Sequence, residues 1–209
     1  MRNVVLPAEY FRPLHRYIRD AAVPGIVRVD MKYLRRLIWH IASRLLICVC
    51  VLGILVTVFY FSMNASNIYV LLKDGMAKRA QVVMMGEDES VLSSYFSPAY
   101  IDRDDMLRTV REEGSVYTNY YSITGIDHRL QMEFVWCWPW DDVARATFVE
   151  SIEGIDGRLQ ASKRGMASEM GLGNTPPAWN RIRYKAVLTR ENEQWIIRSL
   201  QQEAVLTGK

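Results

Sequence analysis

Hydrophobic and polar positions divide this chain sharply. Residues 1–44 mix basic and apolar side chains, and then no Asp, Glu, Lys or Arg occurs from Leu45 to Leu72. The most apolar part, LLICVCVLGILVTVFYFSM (Leu45–Met63), matches the roughly 20 residues a helix needs to cross a hydrocarbon core. A buried core helix rarely runs so far without a charge. As a cleaved signal peptide the stretch begins too late and is too long, and no A-x-A-like site follows it. It reads as an uncleaved signal anchor, within a transmembrane helix placed at residues 41–63.

Beyond the span, a helix is predicted to about Met85, with Tyr69, Leu72, Met76, Ala80 and Val83 on one apolar stripe. Gly86-Glu87-Asp88 ends it. A short helix over SVLSSYF and a third from near Asp102 (DRDDMLRTV) follow, the early acids favouring a helix N-terminus. The period then changes from helical to alternating. Tyr117–Ile123 reads as a strand. In residues 127–138, His128, Leu130, Met132, Phe134, Trp136 and Trp138 share one face, with Asp127, Arg129, Gln131 and Glu133 opposite, which predicts a half-buried strand with an aromatic core face. Pro139 and WDD make a turn, and Val143–Ile152 returns. RIRYKAVLT places Ile182, Tyr184, Ala186 and Leu188 inward; RENE closes a hairpin, and Gln194–Leu200 is the last strand. Residues 157–180, rich in Gly and Pro, have the composition of a mobile loop.

Charge adds an orientation. Residues 1–44 hold nine Lys/Arg against three acids, a net of +6, while the remainder holds 17 basic and 20 acidic residues, a net of −3. The positive-inside rule places the N-terminal arm (residues 1–40, with its juxtamembrane helix) in the cytoplasm and residues 64–209 outside. Trp39, His40, Tyr60 and Phe61 stand where interfacial anchors belong. Arg12, Arg16 and Arg19 fall on one helical face of the arm and, with Arg35, Arg36 and Arg44, suit anionic lipid headgroups better than nucleic acid. Cys48 and Cys50 lie in the span and Cys137 is the single thiol beyond it, so no disulfide framework exists. An outer domain without disulfides fits a bacterial plasma (inner) membrane.

The order of elements beyond the span carries a resemblance. The LKDGMAKRAQVVM helix, the YFSPAYIDRDDML segment, the aromatic strand LQMEFVWCWPW and the AVLTRENEQWIIRSL hairpin follow the order of NTF2-like domains, α+β folds with three helices on a curved antiparallel sheet. With an N-in anchor in front, residues 65–203 resemble the VirB8 family of type IV secretion and conjugation proteins. The resemblance implies a non-enzymatic assembly or scaffold component of an envelope-spanning complex, whose partners are the lipid bilayer, other envelope proteins and copies of itself.

The residues offer little catalytic chemistry. His128 is the single histidine beyond the span, at an inward position where a core or rim histidine is the ordinary explanation. Cys137 lies nine residues along the same strand, about 30 Å away if extended, and has the opposite parity. One His and one Cys cannot supply a structural zinc site. Asp102, Asp104 and Asp105 lack the glycine and distal glutamate of a calcium loop and suit a helix start better. No catalytic, metal or cofactor residue is therefore assigned, and no cofactor is expected. The aromatics stand out more. Trp138 and Trp140 with Asp141 and Asp142 in the WPWDD turn, together with Trp179, are the candidate protein interface. His128, Trp136 and Tyr184 are the candidate lining of a pocket in the NTF2-like cone. A membrane-anchored small-molecule or peptide sensor, requiring a sizeable cavity lined by polar groups with Trp and Tyr, is the alternative to assembly. An isomerase or dehydratase built around His128 is the second.

Overall fold

The computed structural model describes residues 31–206. The basic arm with Arg12, Arg16 and Arg19 lies outside the described residues. The elements run α1 (Met31–Met85), a 3-10 turn (Glu89–Ser94), α2 (Pro98–Ile101), α3 (Asp105–Glu113), α4 (Val116–Tyr120), β1 (Tyr121–Trp136), β2 (Val143–Leu159), α5 (Arg164–Glu169), β3 (Arg181–Glu191) and β4 (Gln194–Leu206). A second 3-10 turn, Ala161–Lys163, precedes α5. The fold class is mixed α+β, with a four-stranded antiparallel sheet in the order β1-β2-β3-β4 and more, shorter helices than the three expected.

The described residues fall into two units, divided between Leu52 and Gly53. In the first, the described residues are helical, and Leu45, Leu46, Ile47, Val49 and Val51 are exposed, as are Arg35, Arg36 and Arg44. Helix α1 is long and apolar enough to cross a membrane. No proline interrupts it, and it stops at Gly86, whose φ of +70° suits a glycine closing a helix.

In the second unit, α1 buries Ile68, Leu72, Met76, Ala80 and Val83. Tyr69, expected on that stripe, is exposed, and Ile68 takes its place. Gly75 lies within the stripe, and a Cβ there would stand 3.1 Å from Tyr95 Cβ and 3.2 Å from Ile197 Cδ1. Its missing side chain lets β4 and the 3-10 turn close on α1. The sheet answers with Phe148, Ile182, Tyr184, Ala186, Leu188 and Ile197, all buried in one core with Leu72, Met76, Phe96 and Leu107. The inward alternation of β3 is as the sequence predicts.

Two sequence expectations change. Residues Tyr117–Tyr120 are helical, because Ser115 and Thr118 form a reciprocal capping box that starts α4, and the strand begins only at Tyr121. The second change concerns β1. Its register against β2 slips between Ile123 and Gly125, between Ile126 and His128, and again between Met132 and Phe134. A bulge adds one residue, and a one-residue slip reverses every later side chain. After Glu133, Val135 and Cys137 therefore turn inward, while Phe134 and Trp136 are exposed. The aromatic core face expected for this strand ends at Met132.

Candidate functional site: a cleft over a buried ion pair

Helix α3 starts at Asp104, as its early acids suggest. The Asp104 carboxylate accepts from the Met106 and Leu107 backbone N–H groups at 2.9 and 3.2 Å. The same carboxylate receives the Arg79 guanidinium edge-on, Nε to Oδ2 at 2.7 Å and Nη2 to Oδ1 at 3.1 Å, and the Tyr100 hydroxyl at 2.6 Å. Arg79 and Asp104 are both buried. One carboxylate thus caps α3, anchors α2 through Tyr100 and neutralises an arginine on the core stripe of α1. The fork geometry satisfies two guanidinium nitrogens at once, which a lysine could not do.

The charges respond accordingly. Burial alone would raise the Asp104 pKa, but the hydrogen bond and charge of Arg79 with the Tyr100 hydroxyl hold it below the usual carboxylate range. Burial alone would lower that of Arg79, and its neighbours, Tyr100 and Asp104 foremost, outweigh burial and raise it. Burial raises Tyr100 despite Arg79. Tyr184 is pushed up to about 12, first by burial and then by the Glu150 carboxylate. The ion pair is fully charged at neutral pH, and both phenols are protonated donors.

This cluster forms the inner wall of an open cleft of about 1490 Å³. Arg79, Tyr100, Asp104 and Tyr184 line its depth, with Trp179, Tyr117 and Tyr120 along one side and Arg198, Ser199 and Gln202 of β4 along another. Of residues 157–180, read as a loop from composition, 157–159 continue β2 and Arg164–Glu169 form α5, and residues 160–180 build part of this wall through hydrogen bonds to α4 and the start of β1. Tyr117 donates to the Pro177 carbonyl at 3.2 Å, Tyr121 to the Gly173 carbonyl at 2.8 Å and Tyr120 to Met170 Sδ at 3.0 Å. Trp179 packs at a tilt of 44° to Tyr117, its ring centre 6.2 Å away. Arg79 Nη1 and Trp179 Nε1 are buried donors without a partner among the described residues.

The candidate pocket residues separate. Tyr184 does line the cleft. His128 does not: its side chain is buried on β1, with Nε2 3.2 Å from Oε1 of the fully buried Glu150 on β2. Trp136 lies on the exposed side of the β1 bulge and cannot reach the cleft. Of the candidate interface residues, Trp138, Trp140, Asp141 and Asp142 are exposed together at the β1–β2 turn, whereas Trp179 belongs to the cleft wall. Asp127 and Glu133 point outward, paired with Arg129 and Arg183. Cys137 is buried, and burial pushes its thiol up, away from the reactive thiolate.

Sequence reasoning missed Arg79 and Asp104 as partners. A charged residue at 79 sits three residues after Met76 and four before Val83, inside the stripe read as apolar. That conflict between charge and periodicity was the available signal. No protein-family model, curated protein or solved structure matches the chain.

Proposed function

We propose that this protein is a bitopic inner-membrane assembly component with an NTF2-like extracytoplasmic domain, and that the domain's cleft holds a polypeptide segment of a partner envelope protein. Its N-terminus is cytoplasmic, and VirB8-like secretion or conjugation machinery is the setting that its layout fits best. The size of the cleft carries the reading. Small-molecule sites usually enclose about 300–1,000 Å³ and bury most of their ligand. An open cleft of about 1490 Å³ suits an extended chain better than a metabolite. Its mixture of tyrosines, Trp179 and arginine is the composition of protein-binding anchors. Neither His128 nor Glu150 lines it, which favours binding over catalysis.

One observation favours a second reading, a membrane-anchored small-molecule sensor. Arg79 Nη1 and Trp179 Nε1 offer two unused donors to an acceptor such as a carboxylate. Photo-crosslinking in native membranes separates the two readings. A photoreactive residue at Thr109 or Ser199, both exposed in the cleft, is expected to capture a polypeptide, and one at the exposed Thr124 is expected to capture none. Absence of any adduct from the cleft positions, with a small carboxylate co-purifying, would overturn the first reading in favour of the second.

A further inference from the structure

The exposed aromatics of the β1–β2 turn form a continuous row that starts on the membrane helix itself. Phe61 meets Trp136 edge-on at 6.1 Å, Trp136 stacks with Trp138 at 6.1 Å, and Trp138 meets Trp140 edge-on at 5.4 Å. Trp136, Trp138 and Trp140 remain 50%, 38% and 71% exposed, and Phe134 beside them 54%. Such a patch is larger than scattered surface apolar residues and calls for an occupant.

Phe61 identifies that occupant. It lies two residues before the end of the apolar stretch, about 3 Å along the helix axis. The turn is fixed at this level by several bonds. Cys137 Sγ approaches the Phe61 carbonyl at 3.8 Å. The Arg190 backbone N–H donates to the Asp142 carbonyl at 2.8 Å, and the Arg190 guanidinium donates to Oδ1 of Asn64, the first strongly polar side chain after Met63, at 3.1 Å. That guanidinium also lies over the Trp195 ring, 4.6 Å from its centre. The tryptophans therefore stand beside the end of the span, where the hydrocarbon gives way to headgroups. Indole is suited to that layer, because its ring prefers an apolar setting and its N–H a wet one.

We propose that the β1–β2 turn is a second membrane contact, with Trp136, Trp138 and Trp140 seated in the headgroup–acyl boundary of the bilayer that α1 crosses. The bulge after Met132 has a purpose in this account: it turns Phe134 and Trp136 out of the core and toward lipid. A domain held at two points has a defined face toward solvent, whereas one held by a helix alone can tilt. The inference rests on α1 crossing a bilayer and is independent of what the cleft binds.

Tryptophan fluorescence of the full-length protein in phosphatidylcholine vesicles tests it, with lipids brominated either near the headgroup or near the chain terminus. In a Trp39→Phe background the shallow bromines are expected to quench more than the deep ones. Adding Trp138→Phe and Trp140→Phe is expected to remove most of that quenching, since Trp179 belongs to the cleft wall and Trp195 is buried beneath Arg190. Because Trp140 is the most exposed of the three, Trp140→Phe alone gives a partial loss without threatening the fold. If shallow bromines quench Trp39 in the unsubstituted protein but leave the Trp39→Phe fluorescence unchanged, the helix is inserted and the turn is not in lipid, which overturns the proposal and leaves the anchor standing.

Discussion

Replacing Asp104 by Ala is expected to destabilise the sheet-bearing domain by about 3–5 kcal/mol, the usual cost of removing one partner from a buried ion pair. The substitution leaves the Arg79 charge buried without its fork, the Tyr100 hydroxyl without its acceptor, and α3 without its cap. Urea unfolding of the full-length protein in detergent, followed by tryptophan fluorescence, measures the loss. A double replacement by leucine, Arg79→Leu with Asp104→Leu, is expected to recover much of it, because an apolar pair avoids the desolvation that an unpaired charge incurs. The ion pair also sets a pH dependence. A carboxylate whose folded pKa lies below its unfolded value contributes stability that is complete above the unfolded value, about 3.9, and is lost as pH falls through the lowered folded value. The wild-type protein should therefore lose stability more steeply than Asp104→Ala below about pH 4. Equal slopes would show that Asp104 is not held in its charged form.

Inserting one alanine after Glu133 is expected to damage the fold at least as severely. Glu133 is the extra residue where β1 slips against β2, between Met132 and Phe134. The insertion moves every later side chain one place along the strand and carries Phe134 and Trp136 into the positions of Val135 and Cys137. Overpacking a core by a few methylenes costs about 1–3 kcal/mol, and two aromatic rings exceed that range. Glu133→Ala keeps the bulge and removes only an exposed ion pair with Arg183, 2.8 Å long, so it should cost about 0–1 kcal/mol. The contrast between insertion and substitution, read by thermal unfolding, isolates the register from the side chain. An insertion as mild as the substitution would mean that the turn absorbs the added residue and that the register does not determine which face the tryptophans occupy.

These two sites also mark where the sequence could be read and where it could not. The apolar stretch, the stripe on α1, the start of α3 at an acid-rich segment and the inward residues of β3 follow from local periodicity and capping, which act over a few residues. The bulge in β1 does not. His128 to Trp138 alternates perfectly on paper, and only pairing with β2 shows that one residue drops out of step. Tyr117–Tyr120 carries strand-forming side chains, yet Ser115 and Thr118 satisfy the first turn of a helix, and capping prevails over propensity. Of the site, Tyr184 was legible from the alternation of β3. The Arg79–Asp104 pair was not, because its partners lie 25 residues apart and each has an ordinary surface explanation when taken alone. Trp179 stands out in the sequence as a candidate interface aromatic, but its place in the cleft wall depends on long-range hydrogen bonds from Tyr117 and Tyr121.

The proposed function requires the helix to cross the membrane once, with the cleft-bearing domain outside. Cysteine labelling tests this most directly, since Cys137 is buried and Cys48 and Cys50 lie within the apolar stretch. A cysteine at the exposed Glu112 and another at Asn3 in the basic arm would be treated separately with a membrane-impermeant maleimide in right-side-out membrane vesicles. Glu112→Cys is predicted to label at once, and Asn3→Cys only after the vesicles are opened. Labelling of Asn3→Cys in sealed vesicles, with Glu112→Cys protected, would contradict the orientation and with it the extracytoplasmic role.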